Sequence, residues 1–172
     1  MKTYKQFINE TPIVYDSGRF DLSHKPIQIK LGDDSKKIST MENGLQVRKT
    51  KFPDNYVHIE AADPKKKSTH LRLSGTLDKK KNRLSVSSLF GYHGAKVKAH
   101  ELYHHIVMNH HDMVSDNTQL PGGVHTWKNL QKYPDIHMKI LHHDGREEEL
   151  PKDFQKNYSL GDHKLIARKR KV

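Results

Sequence analysis

The 172-residue sequence contains no cysteine, and hydrophobic residues make up only 33% of it. Without cysteine, the chain has no disulfide bonds, no thiolate zinc ligands and no cysteine nucleophile. No apolar run approaches the roughly 20 residues of a membrane-spanning helix, so we expect no membrane partner. With a mean hydropathy of −0.91, the chain is expected to fold around one compact core, because single domains usually contain roughly 100–200 residues.

Positive charge is in excess, with 31 lysine and arginine residues against 20 aspartate and glutamate residues, a net charge of +11. This excess favours an acidic partner such as nucleic acid, although a basic surface also serves solubility alone. Two lysine runs between predicted strands and a basic C-terminal tail are either phosphate contacts or solvated segments without a function. The candidate nucleic-acid contacts are Lys65, Lys66, Lys67, Lys79, Lys80, Lys81, Lys169, Arg170 and Lys171.

From residue 56 onward the hydrophobic pattern alternates between strand-like and helix-like spacing. Alternation predicts three strands joined by tight loops, which favours antiparallel pairing. A continuous apolar arc at about 100° per residue then predicts a helix over residues 95–109. The predicted elements are strands at 56–60, 71–77 and 84–89, the helix at 95–109, a strand at 113–115, a helix at 121–131, a strand at 136–141 and a last strand with a basic tail at 164–172.

The predicted order β-β-β-α-β-α-β indicates an α/β (α+β) fold with a mixed, mostly antiparallel sheet and two main helices. Residues 11–55 are weakly patterned, with short strands predicted at 27–31 and 45–47 and a loop at 32–37. The chain is therefore expected to consist of a short N-terminal segment at 1–10, an extension with short strands at 11–55, and a domain at 56–172.

The first ten residues form a short amphipathic segment in which Tyr4, Phe7 and Ile8 share one face. A following Thr-Pro step stops any helix, and so short a segment becomes helical mainly against a partner. The opening Met-Lys-Thr-Tyr, the Phe-Ile pair and the final Ile-Asn-Glu closely resemble the capsid-targeting propeptide of internal head proteins from large contractile-tailed phages. In that family a prohead protease cuts after (Leu/Ile)-x-Glu, which Ile8, Asn9 and Glu10 match.

The propeptide resemblance implies a phage virion protein. It implies binding to the capsid or its scaffold core, cleavage by the prohead protease after Glu10, and ejection into the host cytoplasm together with the DNA. Loss of residues 1–10 lowers the net charge by one, so the mature part would keep +10 beside the packaged DNA. The expected partners are DNA and a host defence protein such as a restriction enzyme, which makes anti-restriction the expected role.

His100 and His104 are four residues apart on the predicted helix and form an HExxH pattern with Glu101. Residues at i and i+4 share a helix face, so both imidazoles would bind Zn²⁺ while Glu101 activates a bound water. His110 stands where metzincin-type proteases place a third ligand. Val107, however, stands where those proteases need glycine to turn the chain. A zinc metalloprotease is one hypothesis, and a solvated helix rich in histidine is its alternative.

Residues 84–141 resemble the central region of the GCN5-related N-acetyltransferase (GNAT) superfamily. In that family a strand leads through a glycine-bearing loop into a helix whose N-terminal amides bind the coenzyme A pyrophosphate. The resemblance implies a GNAT-like fold and an acetyl-CoA site at Gly91, Gly94, Ala95 and Lys96. This pattern resembles a motif of phage-encoded GNAT-like proteins. Its further residues are Ser115, Asp116, Gln119, Leu120, Pro121, Gly122, Gly123 and Trp127.

Two departures from the GNAT pattern weaken the enzymatic hypothesis. Lys96 replaces the second small residue of the phosphate loop. Trp127 replaces the tyrosine often used as general acid, and an indole cannot protonate a thiolate. Trp127 and Leu130 are instead expected in the core. The sequence therefore favours a binding protein with unknown catalytic residues and no cofactor, while acetyl-CoA and zinc remain the alternatives.

Overall fold

The computed structural model describes residues 34–91, 95–116, 121–154 and 163–171. Over these residues the chain forms an α+β fold with one mixed, mostly antiparallel sheet of nine strands and two α-helices, which confirms the predicted class. The strands are β1 (Lys36–Thr40), β2 (Gln46–Lys51), β3 (Tyr56–Asp63), β4 (Ser68–Asp78), β5 (Arg83–Gly91), β6 (Asp112–Val114), β7 (Ile136–Leu141), β8 (Glu147–Glu149) and β9 (Lys164–Lys169), and the helices are α1 (Ala99–Asn109) and α2 (Pro121–Leu130). The strand order across the sheet is β1-β2-β3-β4-β5-β6-β9-β7-β8.

Two similar tight turns join β3 to β4 and β4 to β5. In the first, the Asp63 carboxylate accepts hydrogen bonds from the backbone N–H groups of Lys65 and Lys66. In the second, the Asp78 carboxylate accepts the same pair of bonds from Lys80 and Lys81. Aspartate favours turns through such bonds to its own backbone. The two predicted lysine runs therefore lie at turn tips, but at opposite ends of β4.

The parallel pairing of β5 with β6 is made through α1, because parallel neighbours need a crossover connection. The helix begins at Ala99 rather than at residue 95 as predicted. The Glu101 carboxylate accepts a hydrogen bond from the Lys98 backbone N–H and so fixes the first turn. Arg83 to Ser85 of β5 pair with β6, and β5 then continues to Gly91 without a further strand partner on that side among the described residues.

One hydrophobic core joins the sheet to both helices. Ile59 and Leu73 of the sheet are fully buried in the same cluster as Ile106 of α1. Trp127 of α2 contacts Tyr103 of α1 edge to face, with ring centroids 5.4 Å apart. Trp127 and Leu130 are both buried, as predicted. Neither described helix has the length and apolar composition needed to cross a membrane.

The sequence predicts a loop over 32–37, but Lys36 and Lys37 begin β1 and pair with β2. The prediction is wrong at these two lysines because β1 is an edge strand, which pairs through its backbone and needs little apolar alternation. β1 and β2 belong to the same sheet as β3, so the sheet extends across residue 55. The strand predicted at 27–31 lies outside the described residues.

The acidic segment that follows β7 forms β8 and pairs with basic groups. Glu147 binds the Arg168 guanidinium, with one Nη–Oε distance of 2.6 Å, and also lies 3.0 Å from Arg83. Glu147 thus connects the acidic segment to the C-terminal strand β9. Asp112 completes the network at 2.8 Å from Arg168 Nε. The hydrogen bond from Arg168 and the two guanidinium charges hold the pKa of Glu147 below its usual range.

We expect Glu147→Gln to lower the free energy of unfolding at pH 7 by about 1–2 kcal/mol, because it leaves two guanidinium groups without their shared carboxylate. Because the pKa of Glu147 is lower in the folded chain than in the unfolded chain, its ionised carboxylate stabilises the fold above the unfolded pKa of about 4.3. This stabilisation is lost as the pH falls through the folded pKa. Urea denaturation should therefore show the difference at pH 7 and little difference near pH 3. Glu148→Gln is the control, because the Glu148 carboxylate is exposed and pairs with His142 at the surface. An equal loss in both variants would contradict this assignment.

Candidate nucleic-acid interface

One end of the sheet collects cationic side chains from distant parts of the chain. Arg83 pairs with Asp112 across β5 and β6, and Asp112 binds Arg168 of β9, so these three residues mark one row. In the chain, the 79–81 lysine run comes just before Arg83, and the tail 169–171 comes just after Arg168. Because β5 and β9 run in opposite directions, both segments lie at the same end of the strands. We call this end the basic end, and its cations are Lys36, Lys49, Lys51, Lys79, Lys80, Lys81, Lys169, Arg170 and Lys171.

Hydrogen bonds connect β2 to the second lysine turn. Lys49 Nζ lies 3.1 Å from His111 Nε2, and His111 Nδ1 lies 2.7 Å from Asn82 Oδ1, in the turn between β4 and β5. Lys36 of β1 pairs with Lys49 in the sheet register. The lysines of β1 and β2 therefore adjoin the 79–81 run although the sequence separates them by about thirty residues or more.

Of the three predicted cationic segments, the structure brings two together and leaves the third apart. The 79–81 run and the 169–171 tail share the basic end, whereas the 65–67 run lies at the far end of β4. The tail also borders an open groove of about 480 Å³. The groove is lined by His137, Lys139, Arg168, Lys169, Arg170 and Lys171.

The lysines of the basic end repel one another. Burial lowers the pKa of Lys49, and the neighbouring charges of Lys51 and Lys79 lower it further. Burial, with Lys49 and His110 adding to it, lowers the pKa of His111 to about 4, so this ring is neutral at pH 7. Within the described ranges, Lys49, Lys51 and Lys79 form no ion pair with a carboxylate. Among the residues that the structure describes, no carboxylate therefore neutralises the positive charge of these three lysines.

A serine lies between two histidines where α1 ends against β1. The Ser39 hydroxyl is 2.8 Å from His105 Nε2 and 2.7 Å from His110 Nε2. A hydroxyl has a single proton, so one ring accepts it and the other donates to the oxygen. Burial is the main cause that lowers the pKa of both rings. With Lys49 and His111, these groups form a cluster of five side chains, which we call the Ser39 cluster.

The HExxH residues lie on α1, but the structure does not bring them to one point with His110. His100 Nδ1 lies 3.1 Å from the Tyr133 hydroxyl, and His104 Nε2 lies 2.9 Å from an Asp135 carboxylate oxygen. The i, i+4 spacing thus places both rings on one face, against the segment that follows α2. His110 faces Ser39 instead. In the described part of the chain, no group of three or more histidine, aspartate or glutamate side chains is close enough to hold a metal ion.

The Glu101 carboxylate, which the sequence predicts as a general base, is hydrogen-bonded to the start of its own helix. It accepts a hydrogen bond of 2.7 Å from the Lys98 backbone N–H. A carboxylate at this position also interacts favourably with the partial positive charge of the helix N-terminus. In the geometry described, Glu101 therefore stabilises the first turn of α1.

The predicted cofactor loop is described only in part, since Gly94 lies outside the described residues. Gly91 ends β5 and pairs with Leu71. Ala95 follows the gap, and the Lys96 backbone N–H donates to His70 Nδ1 at 3.1 Å. Together with the Lys98 N–H, two backbone donors of this segment are thus already bonded to protein groups. The predicted propeptide residues Ile8, Asn9 and Glu10 also lie outside the described residues.

Comparisons with known proteins gave no match: no family model, no curated protein and no solved structure matches this chain.

Sequence reasoning missed Ser39, Lys49, His105 and His111 as members of one cluster. Ser39 and His110 are 71 residues apart in the chain, and their contact depends on the crossover that lays α1 against β1. The only local signal is the crowding of histidines at the end of the predicted helix, which indicates neither the serine nor the lysine.

Proposed function

We propose that this protein is an internal head protein of a contractile-tailed phage that binds the DNA backbone through the basic end of its sheet. The observation that carries the DNA-binding part is the cluster of lysines from β1, β2, the β4–β5 turn and β9 at one end of the strands. Lysine contacts to phosphate carry no sequence information, so binding is expected to be independent of base sequence.

The dimensions of the basic end suit a duplex. From β1 to β9 there are six strand spacings, or about 29 Å at roughly 4.8 Å each. One turn of B-DNA is roughly 34 Å long, so a contact along this end covers slightly less than one turn. About six lysine–phosphate contacts are a reasonable expectation for such a length.

The proposal predicts a steep dependence of DNA affinity on salt. With about six phosphate contacts, the logarithm of the association constant should fall with a slope of about −5 against the logarithm of salt concentration. Fluorescence anisotropy of the full chain with two unrelated 20-base-pair duplexes, between 50 and 200 mM NaCl, measures this slope. Equal affinities and a steep slope support the proposal, whereas no binding at 50 mM NaCl overturns it.

The virion part of the proposal is supported by the resemblance of residues 1–10 to capsid-targeting propeptides. Mass spectrometry of purified virions tests it independently of DNA binding. A mature N-terminus at Thr11 is the expected result, and an absent or uncut protein would remove this part. After ejection the same surface would meet host DNA, and a host defence protein stays a second predicted partner.

A coenzyme A-type cofactor is the second candidate ligand, and the carboxyl end of β5 favours it. β6 pairs with β5 only as far as Ser85, and beyond that point the edge of β5 has no β6 partner. Ser87 is an extra residue in β5, because Ser74 pairs with Ser88 while Gly75 pairs with Val86. Such bulges occur next to active sites, and open sheets bind ligands beyond the carboxyl ends of parallel strands.

Residues 56–172 would in that case have a GNAT-like fold, with Gly91, Ala95 and Lys96 near the pyrophosphate. Isothermal titration calorimetry of the full chain with acetyl-CoA tests this candidate. Saturable heat that desulfo-coenzyme A competes away would support it. No heat at about 100 µM protein, a concentration on the order of typical Michaelis constants, would overturn this candidate.

A further inference from the structure

We propose that the Ser39 cluster is a binding site for a phosphoryl oxyanion. The cluster joins hydrogen-bonding side chains from three separate elements, and its Ser39 and Lys49 halves meet at the neighbouring rings of His110 and His111, whose centroids are 6.3 Å apart. Ser39 comes from β1, Lys49 from β2, and His105, His110 and His111 from the end of α1 and the residues after it. This inference rests on the proposed function only for the source of the phosphate, which would be the DNA backbone.

The donors of the cluster are bonded to one another, which leaves them without a good acceptor. Lys49 Nζ donates to the neutral His111 ring, and the Ser39 hydroxyl bridges two imidazoles. A hydrogen bond to an ionised oxygen is roughly twice as strong as one between neutral groups. A phosphate oxygen that replaces these internal acceptors would therefore strengthen each bond.

His111 is held in the orientation that such a site requires. Its Nδ1–H donates to Asn82 Oδ1 at 2.7 Å, which points Nε2 toward Lys49. On protonation, Nε2 becomes a donor at the same place and can share a phosphate with Lys49. Asn82 itself is fixed by its turn, where it has a left-handed backbone conformation with φ of 51° and donates to the His110 carbonyl.

The charges around the cluster favour an anion over a metal cation. Lys51 and Lys79 add positive charge to Lys49, and the described residues place one carboxylate, Glu42, close enough to affect His105. The neighbouring guanidinium of Arg168 gives the contrast. Arg168 has the same sign of charge at the same end of the sheet, but Glu147 and Asp112 neutralise it. The Ser39 cluster has no such partner within the described part of the chain.

Histidine titration in the presence of inorganic phosphate tests the site directly. The imidazole signals of the full chain are followed by NMR from about pH 3 to 8, with and without inorganic phosphate at constant ionic strength. The phosphate concentration is about 20 mM, on the order of a weak ligand's dissociation constant. If phosphate binds the protonated cluster about tenfold more tightly than the neutral one, the midpoints of His110 and His111 should together rise by up to about one pH unit, the value reached at saturation. Signals are assigned with single His→Gln variants.

Two substitutions separate the cluster from its surroundings. Lys49→Gln removes the central cation and should abolish the shift that phosphate causes, and Ser39→Ala should reduce it. Lys37→Gln is the matched control, because it removes the same charge from the neighbouring strand at a position where the structure shows no contact with the cluster. Thermal unfolding of each variant shows whether a lost shift reflects lost folding, and Ser39→Ala removes only one hydroxyl.

The outcomes distinguish this site from the proposed function. Midpoints that do not move with phosphate or with duplex DNA overturn the site, even if DNA binding with a steep salt dependence persists. Midpoints that move with inorganic phosphate but not with DNA show that the site takes free phosphate rather than the backbone. Midpoints that move with both, and fail to move in Lys49→Gln, support a backbone contact at this cluster.

Discussion

Replacing Gly75 with alanine is expected to lower the free energy of unfolding by about 2–4 kcal/mol. Gly75 lies on β4 and pairs with Val86, next to the extra residue of β5. A Cβ atom at this position would overlap the Ser85 backbone oxygen and lie 3.2 Å from Leu84 Cδ1. Because the first of these atoms is backbone, the two strands must separate to accept it. Glycine inside a strand marks such a close approach of another backbone.

Urea denaturation measures this effect as a fall of the midpoint by about 1–2 M, given the usual dependence on urea for small proteins. Gly122→Ala is the control, because it is expected to change the free energy of unfolding in the opposite direction. Gly122 lies in α2, and a Cβ there meets no atom within 4 Å. Alanine is the better helix former by as much as about 1 kcal/mol, so this variant should be stabilised slightly. A Gly75→Ala midpoint equal to that of the unmodified chain would show that the strands adjust freely.

The buried strands could be predicted from sequence because burial imposes a period of two. In β7, Ile136 and Met138 are buried while His137 and Lys139 are only partly buried, and the predicted bounds agree with the structure. Leu71, Leu73 and Leu77 mark β4 in the same way. The pattern is weaker at the edges of the sheet, where neighbours cover a strand on one side only.

Both edge strands show this limit of the sequence pattern. β1 reads Lys-Lys-Ile-Ser-Thr, and β8 consists of three glutamates, so neither has a recognisable apolar face. β8 forms because Gly145, with φ of 86°, allows a tight turn after β7. Its glutamates then meet Lys139 of β7 and His142, the residue that follows β7. Such cross-strand pairs stabilise a sheet but leave no signal in a short window of sequence.

The candidate site could be predicted only in its parts. Turn chemistry predicts that both lysine runs lie at turn tips, because Asp63 and Asp78 begin them. Which run shares an end with the basic tail depends on the direction of each strand and on the crossover through α1. The HExxH residues show the same limit. His100 and His104 share a helix face, as their i, i+4 spacing predicts, but they contact Tyr133 and Asp135. Local spacing fixes a shared face but not what that face meets.

At 0.1 M salt, replacing Lys79, Lys80 and Lys81 together with glutamine is expected to weaken duplex DNA binding by about 100-fold or more. Each phosphate contact releases about 0.9 counterion, which corresponds to roughly eightfold in affinity at this salt concentration. Three lost contacts would also reduce the salt slope by about 2.7. The fold should survive, because the turn depends on the Asp78 carboxylate and on backbone N–H groups that glutamine retains.

The chain provides a matched control in the other lysine turn. Replacing Lys65, Lys66 and Lys67 with glutamine removes the same three charges from a turn of the same kind, which Asp63 closes in the same way. Net charge and composition of the two variants are therefore equal, and they differ only in the end of β4 that loses its lysines. If the basic end binds the backbone, the 65–67 variant should stay within about threefold of the unmodified chain, because its lysines lie beyond a Debye length of roughly 10 Å from the bound phosphates. Equal losses in the two variants would mean that total charge, rather than this end of the sheet, determines affinity.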